Sequence, residues 1–216
     1  FWTAVWWYTT TRKPAPLVRK DVVRLLLLGF VGYYLSSYLD FLSLQYISAG
    51  LERIILYLTP TLVLVISALV LGKRIDSRQW LAMGVAYAGV ILVFLHDVRF
   101  GGDRAALGSM LVFAAAFTYA IYLVFAGEIV NRVGSIRLVA FASASSTFFC
   151  VLQALIINPQ GLVNQVPAVY VLSLVNASLC TFVPMLLVMA AVKRLGPGLA
   201  AQAGVIGPVA TVLLGW

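Results

Sequence analysis

Apolar runs of about twenty residues follow one another along the whole chain, and this feature restricts the fold more than any other. An α-helix needs about twenty apolar residues to cross the hydrocarbon core of a bilayer. Two incomplete runs, 1–10 and 198–216, flank a series of complete ones. The complete runs are 22–45, 50–71, 79–96, 106–127, 136–157 and 170–192. The sequence therefore predicts an all-α polytopic membrane protein.

The composition agrees with this prediction. Hydrophobic residues make up 62% of the 216 residues and charged residues only 10%. In soluble domains about a quarter of the residues are charged. This chain has too few charged residues to cover a surface exposed to water. A signal peptide does not explain the hydrophobicity, because apolar segments recur along the full length.

Lysine and arginine are distributed asymmetrically between alternate loops. Twelve of the fifteen lie on one side of the predicted membrane, which marks that side as cytoplasmic. We expect a multi-pass protein of the cell membrane, meaning an inner or plasma membrane. Although the net charge is +8, the bases occupy short gaps between apolar runs, so no nucleic-acid partner is predicted. The twelve are Arg12, Lys13, Arg19, Lys20, Arg24, Lys73, Arg74, Arg78, Arg132, Arg137, Lys193 and Arg194.

The chain also contains an internal repeat. A shift of 148 residues places Gly50-Leu51 on Gly198-Leu199 and Pro60 on Pro208. The same shift places the basic loop 11–21 on the uncharged segment 159–169, so matching elements carry opposite charge bias. This pattern is typical of inverted-topology repeats.

Inverted halves need an odd number of spans each, and five per half fits the shift. We therefore expect ten spans in an intact protein, of which this chain is a fragment. The first repeat, 1–96, would lack span one and part of span two. The second, 106–216, would lack the end of span nine and span ten.

Two stretches resemble EamA-type carriers of the drug/metabolite transporter superfamily. They are "SLQYISAGLERIILYLTPTLVLVISALVLGKRIDSRQWLAMGVAYAGVILV" (43–93) and "VKRLGPGLAAQAGVIGPVATVLLGW" (192–216). The resemblance implies a ten-helix carrier with two inverted five-helix halves, a central substrate cavity and export as the direction. Lys73 stands where the family usually has an acid, so no role of that acid is transferred.

Three ionisable residues lie inside apolar runs, away from the basic loops: Asp40, Glu52 and Arg53. Charged side chains in membrane spans are costly, and they often mark pathways or paired structural contacts. Two interpretations stay open here. Asp40 and Arg53 would form a pair that locks the hairpin, or Arg53 or Glu52 would line the mouth of a cavity and meet a polar substrate.

Prolines and neutral polar residues complete the candidate pathway. Pro60 and Pro208 occupy matching mid-span positions and, with Pro184, are candidate hinges, because proline removes a helical hydrogen bond. The candidate lining residues are Tyr38, Tyr57, Asn176 and Gln202. Tyr34 and Tyr38 should share one helix face, and Tyr119 and Tyr122 another.

These features predict a secondary transporter that exports a small polar or amphipathic metabolite by alternating access. The alternatives are a non-transporting membrane scaffold or sensor and a membrane-embedded enzyme. An enzyme is disfavoured because the one histidine, His96, lies at a span end and no catalytic constellation is evident. We predict no cofactor and no metal site, since Cys150 and Cys180 lie within apolar runs. The expected partners are a small-molecule substrate and the lipid bilayer, and a homodimer is left open.

Overall fold

The computed structural model describes residues 17–72, 80, 81, 84, 104–160 and 165–203. Within these ranges all regular structure is helical, and five helical stretches are long and apolar enough to cross a membrane. The stretches are Arg19–Ser43, Ala49–Leu71, Ala105–Val133, Ser135–Ile157 and Pro167–Leu195, named here the first to fifth spans. The predicted runs at 1–10, 79–96 and beyond 203 lie wholly or mostly outside the described residues.

Three of the five spans are interrupted or irregular. The first consists of α1 (Arg19–Gly29), a π-helical segment (Phe30–Leu35) and α2 (Ser36–Ser43). The second is divided into α3 (Ala49–Leu56) and α4 (Thr59–Leu71). The third and fourth are single helices, α5 (Ala105–Val133) and α6 (Ser135–Ile157). The fifth consists of α7 (Pro167–Val175), a second π-helical segment (Asn176–Phe182) and α8 (Val183–Leu195), and α9 (Pro197–Ala203) follows it.

Helix α5 lies at the centre of the described bundle. It packs against α1, α2, α3, α4, α6, α8 and α9 and against the first π-helical segment. Small residues make this possible, because without large side chains two helix backbones approach closely. Alanine at 115, 116, 120 and 126 is almost fully buried on this helix. At Gly108, an added Cβ would lie 2.6 Å from the Ile47 side chain.

Helices α1 and α6 also meet at very short range. An added Cβ at Gly29 would overlap the backbone carbonyl oxygen of Ala142. Beside this contact, the Ser145 hydroxyl donates a hydrogen bond to the carbonyl oxygen of Leu26 at 2.8 Å. The crossing of α1 and α6 therefore depends on the absence of a side chain at residue 29.

The basic segment 131–137, predicted as a loop, is almost entirely helical. Helix α5 continues to Val133 and α6 begins at Ser135, so Gly134 alone joins them. Gly134 has φ 89°, a left-handed conformation that strongly favours glycine. The hydropathy pattern ends where polar side chains begin, but arginine, glutamate and asparagine continue a helix that has left the apolar region.

The order of elements repeats at the shift found in the sequence. Helix α1 begins at Arg19 and α7 begins at Pro167, 148 residues later. Helix α3 begins at Ala49, and α9 begins 148 residues further, at Pro197. The two π-helical segments, 30–35 and 176–182, overlap under the same shift. That the two halves, 1–96 and 106–216, cross the membrane in opposite directions stays a prediction.

Candidate functional site

A cavity of about 420 Å³ lies between the first, fourth and fifth spans. Six of the ten described residues that line it carry a hydroxyl group, and none carries a formal charge. The hydroxyl residues are Tyr33, Ser143, Ser146, Thr147, Ser178 and Thr181, and the others are Leu174, Ala177, Phe182 and Met185. Its wall thus combines hydrogen-bonding groups with an apolar surface, as binding sites for small molecules commonly do.

Both π-helical segments contribute to the cavity wall. Tyr33 belongs to the first segment, whereas Ala177, Ser178 and Thr181 belong to the second. A π-helical turn inserts one residue into an α-helix and displaces the side chains around it, and such turns are frequent at functional sites. Pro184 follows the second segment and has no N–H for the carbonyl of Cys180, which weakens regular α-helical bonding there.

A pair of buried tyrosines connects the cavity wall to α5. The hydroxyl groups of Tyr33 and Tyr122 are hydrogen-bonded at 2.7 Å, and their ring centroids are 4.8 Å apart. Tyr122 is fully buried on α5. Tyr119 stacks on Tyr122 at 5.8 Å, which confirms the prediction that these two share one helix face. Tyr34 and Tyr38 likewise stack, with centroids 6.3 Å apart.

We expect the tyrosine hydroxyls to be energetically coupled. Tyr33→Phe should lower the free energy of unfolding by about 1–3 kcal/mol, because it leaves the buried Tyr122 hydroxyl without a partner. The double replacement Tyr33→Phe/Tyr122→Phe should cost clearly less than the sum of the two single replacements. Denaturant titration in detergent measures all three. Tyr38→Phe, at an exposed ring, is the control and should change stability by less than about 0.5 kcal/mol. Additive single effects would contradict the coupling.

Two carboxyl groups meet at the opposite end of the first span from Arg19. Asp40 on α2 and Glu52 on α3 lie close enough for their carboxyl groups to interact directly. Glu52 is 7% exposed, and Asp40 Oδ1 is buried without a hydrogen-bond partner in the described part of the chain.

Of the two interpretations left open by the sequence, the Asp40–Arg53 ion pair is not the arrangement of these residues in the structure. The face of α3 that turns inward carries Leu51, Glu52 and Ile55, whereas Arg53 is exposed. Successive residues of an α-helix are about 100° apart, so burying Glu52 turns Arg53 away from α2. The rotation of α3 about its own axis therefore decides whether Glu52 or Arg53 reaches Asp40.

An ion pair joins the first and third spans at their other end. Asp21, in the first turn of α1, pairs with Arg132, in the last turn of α5. The Asp21 side chain is 5% exposed and that of Arg132 is 56% exposed. Asp21 Oδ2 also accepts a hydrogen bond from the Val18 N–H at 3.3 Å. Residues 21 and 132 thus lie at one membrane face, as their assignment to one set of loops requires.

The sequence model of the EamA-like transporter family matches residues 1–95 and 106–216. The chain belongs to the EamA-like transporter family. Over 198 residues it is 30% identical to the uncharacterized transporter YcbK of Bacillus subtilis (strain 168), covering 87% of this chain and 61% of YcbK. It is 29% identical over 125 residues to an uncharacterized transporter of Archaeoglobus fulgidus, covering 57% and 43% of the two chains. No solved structure matches it significantly.

Family membership and five apolar spans make this EamA-family chain part of a multi-pass membrane protein. The chain spans less than two thirds of the length of the relatives given above. Both relatives are named transporters, and neither name states a substrate.

The pathway residues predicted for this EamA-family chain do not converge on the cavity. Among its described lining residues are none of Asp40, Glu52, Arg53, Tyr57, Tyr38, Asn176 and Gln202. Asn176 is exposed at the start of the second π-helical segment, between the lining residues Leu174 and Ala177. Gln202 is half-buried on α9. Tyr57 lies at the interruption of the second span.

The prolines lie where helices are interrupted. The second span breaks at Tyr57–Leu58, and Pro60 is in the first turn of α4. Proline is tolerated in a first turn because its missing N–H would have no helical partner there. Pro184 is similarly placed at the start of α8. Pro208 lies outside the described residues, and hinge motion at any of the three stays a prediction.

The serine-rich stretch "FASASSTFF" (141–149) is the one part of the sequence from which a polar cavity wall could have been predicted. Hydroxyl side chains are tolerated in a membrane span by bonding to their own backbone or to neighbouring helices. Residues 143–147 contain four hydroxyl side chains, which is more than a single hydrogen bond to a neighbouring helix would need. Three of the four, Ser143, Ser146 and Thr147, line the cavity, while Ser145 binds α1.

Proposed function

We propose that the intact protein is a secondary transporter that exports a small, uncharged metabolite with both polar and apolar surface, by alternating access. The hydroxyl-lined cavity between the two π-helical segments supports this proposal most. Its volume of about 420 Å³ falls within the range of roughly 300–1,000 Å³ that is typical of small-molecule sites.

The lining chemistry favours an uncharged substrate. No described residue of the cavity wall could neutralise an ion, and moving an unpaired charge out of water is strongly unfavourable. Six hydroxyl residues offer both donors and acceptors, so a substrate with several hydroxyl, carbonyl or amide groups would regain hydrogen bonds that it loses on leaving water. The side chains of Leu174, Phe182 and Met185 would contact its apolar part.

Alternating access requires a cavity that opens to each side in turn, and in transporters interrupted helices typically form the substrate site about which the repeats rock. We place the inner gate at Asp21–Arg132 and the outer gate at Asp40–Glu52, with the exposed Arg53 at the outer rim. Pro60 and Pro184, and by the repeat Pro208, would be the hinges. Asp40 and Glu52 bring two carboxyl groups close together at the outer gate, and carboxyl groups within spans often belong to proton pathways.

Replacing a residue of the cavity wall with tryptophan tests whether the substrate passes through the cavity. Cells expressing the intact protein should accumulate a compound in the medium that cells without it do not, as measured by comparative mass spectrometry. Ala177→Trp should lower this accumulation at least about tenfold, since a wall residue would then occupy the substrate volume and remove at least about 1.4 kcal/mol of binding. Leu179→Trp, on the same π-helical segment but outside the cavity wall, is the matched control and should leave export unchanged.

Two further variants distinguish a blocked substrate cavity from a loss of folded protein. Thr181→Val keeps the side-chain shape and removes one hydroxyl of the wall, so export should fall while the amount of folded protein stays constant. Glu52→Gln removes one of the two carboxyl groups proposed for the outer gate, so export should lose part of its dependence on external pH. Equal export by the Ala177→Trp and Leu179→Trp variants would contradict the cavity as the route. No difference between expressing and control cells would contradict export.

A further inference from the structure

Two hydroxyl groups in the wall of the cavity of about 420 Å³ already take part in strong hydrogen bonds within the protein. They belong to Tyr33 in the first π-helical segment and to Ser178 in the second. A hydroxyl group has one hydrogen to donate, and its oxygen has lone pairs that accept. The direction of each existing bond therefore determines what the group can still offer to a ligand.

Ser178 is left with an acceptor. Its hydroxyl donates a hydrogen bond to the carbonyl oxygen of Leu174 at 2.7 Å. A carbonyl oxygen cannot donate, so the single hydrogen of Ser178 is used in this bond. Within the described residues, no group donates a hydrogen bond to Ser178 Oγ. A ligand in the cavity thus meets Ser178 as an oxygen that accepts.

Tyr33 is left with a donor. By distance alone, its bond with Tyr122 could run in either direction. Tyr122 is fully buried, and its hydroxyl has no second hydrogen-bond partner in the part of the chain that the structure describes. If Tyr33 donated, the hydrogen of Tyr122 would be buried without an acceptor, an arrangement that is disfavoured by about tenfold. If Tyr122 donates, the free hydrogen belongs to Tyr33, which lies in the cavity wall.

We propose that Tyr33 donates and Ser178 accepts a hydrogen bond from one and the same substrate molecule. The substrate then carries a carbonyl-type acceptor together with an N–H or O–H donor, the two groups that an uncharged carboxamide presents. Such a molecule connects the two π-helical segments when it binds. Tyr122 does not contact the substrate and instead positions the hydrogen of Tyr33. This inference rests on the proposed role of the cavity as the substrate site.

Three probes of similar shape test the polarity of the wall. Cyclohexanecarboxamide has an acceptor and a donor, cyclohexyl methyl ketone has the acceptor alone, and isopropenylcyclohexane has neither. Their retention is measured on columns of the purified intact protein, immobilised in detergent. Retention by the Ala177→Trp variant, in which the cavity is filled, is subtracted to remove partition into the detergent. Variants are compared with one probe at a time, because the cost of taking that probe out of water is then the same.

Tyr33→Phe should lower the retention of the carboxamide and of the ketone about three- to tenfold, since both lose a donor to their carbonyl oxygen. Retention of the hydrocarbon should not change. Tyr122→Phe is the matched control, because it breaks the same bond between the two tyrosines but keeps the hydrogen of Tyr33. It should weaken retention of the ketone clearly less than Tyr33→Phe does, whereas a purely structural role of the pair predicts equal losses.

Ser178→Ala should lower the retention of the carboxamide alone, again about three- to tenfold, because the ketone has no hydrogen to donate. Ser173→Ala is the control on the same span. Ser173 is exposed on α7 and does not line the cavity, so its replacement should change the retention of none of the three probes.

The inference is overturned if Tyr33→Phe and Tyr122→Phe weaken retention of the ketone equally, or if Ser178→Ala leaves retention of the carboxamide unchanged. Equal retention of all three probes by the Ala177→Trp variant and the unsubstituted protein would contradict the cavity as a binding site, and the inference with it. Export is measured separately in cells. Its absence, together with the expected pattern of retention, would contradict transport but not the polarity of the wall.

Discussion

Gly29→Ala is expected to weaken the packing of the first span against the fourth. The added Cβ overlaps the carbonyl oxygen and the Cα of Ala142, which are backbone atoms and do not move aside by a change of rotamer. The cost should reach or exceed the upper end of overpacking effects, about 3 kcal/mol. For a chain of this size, that corresponds to a melting temperature roughly 6–12 °C lower. Thermal unfolding of the detergent-solubilised protein, followed by size-exclusion chromatography, measures it.

Two other glycines calibrate this expectation. Gly50→Ala is the control, because the nearest atom to its added Cβ is the Ser48 hydroxyl oxygen at 3.8 Å, an ordinary contact. It should be neutral or slightly stabilising, since alanine favours a helix over glycine by up to about 1 kcal/mol. Gly32→Ala should be similarly destabilising, because its added Cβ overlaps Cβ and Cγ of the fully buried Tyr122, and a Cβ atom is fixed by its backbone. Equal melting temperatures for Gly29→Ala and Gly50→Ala would show that α1 and α6 are not in close contact.

Arg132→Ala is expected to have the second-largest effect, because it leaves the carboxylate of Asp21 buried without its cation. Removing one partner of a fully buried ion pair costs about 3–5 kcal/mol. Since the Arg132 side chain is 56% exposed, water screens the pair in part, and we expect about 1–3 kcal/mol. Chemical unfolding in detergent gives the value.

A double replacement separates the ion pair from general packing. Asp21→Asn/Arg132→Gln removes both charges while keeping similar shapes, and it should be more stable than Arg132→Ala. Arg194→Ala removes an exposed base from the last turn of α8 and is expected to change stability by less than about 0.5 kcal/mol. If Arg132→Ala were no more destabilising than Arg194→Ala, the ion pair would not contribute to the fold.

The sequence predicts the spans well because their signal is strong and local. All five described spans begin within three residues of the start of a predicted run. A long apolar segment of a membrane protein has few structures to adopt other than a spanning helix. The third span ends six residues later than predicted, at Val133, because its last turns are polar yet helical. The interruption near Pro60 was also predictable, as the missing N–H of proline acts on its own helix.

The contacts between spans are less predictable. Whether Glu52 or Arg53 meets Asp40 depends on the rotation of α3 about its axis, which is set by packing against α5 and has no local signal in the sequence. The cavity is not predictable from the sequence for a similar reason. Its hydroxyl groups come from three spans, and only the cluster at 143–147 is visible in one stretch of sequence.

The one-residue connection at Gly134 limits how the third and fourth spans can shift. With a single residue between α5 and α6, the end of one helix stays beside the start of the other, so these two spans cannot slide far past one another along their axes. In the described part of the chain, the interrupted or irregular turns lie instead in the first, second and fifth spans. We therefore expect changes of helix shape in these three spans, while the third and fourth shift together.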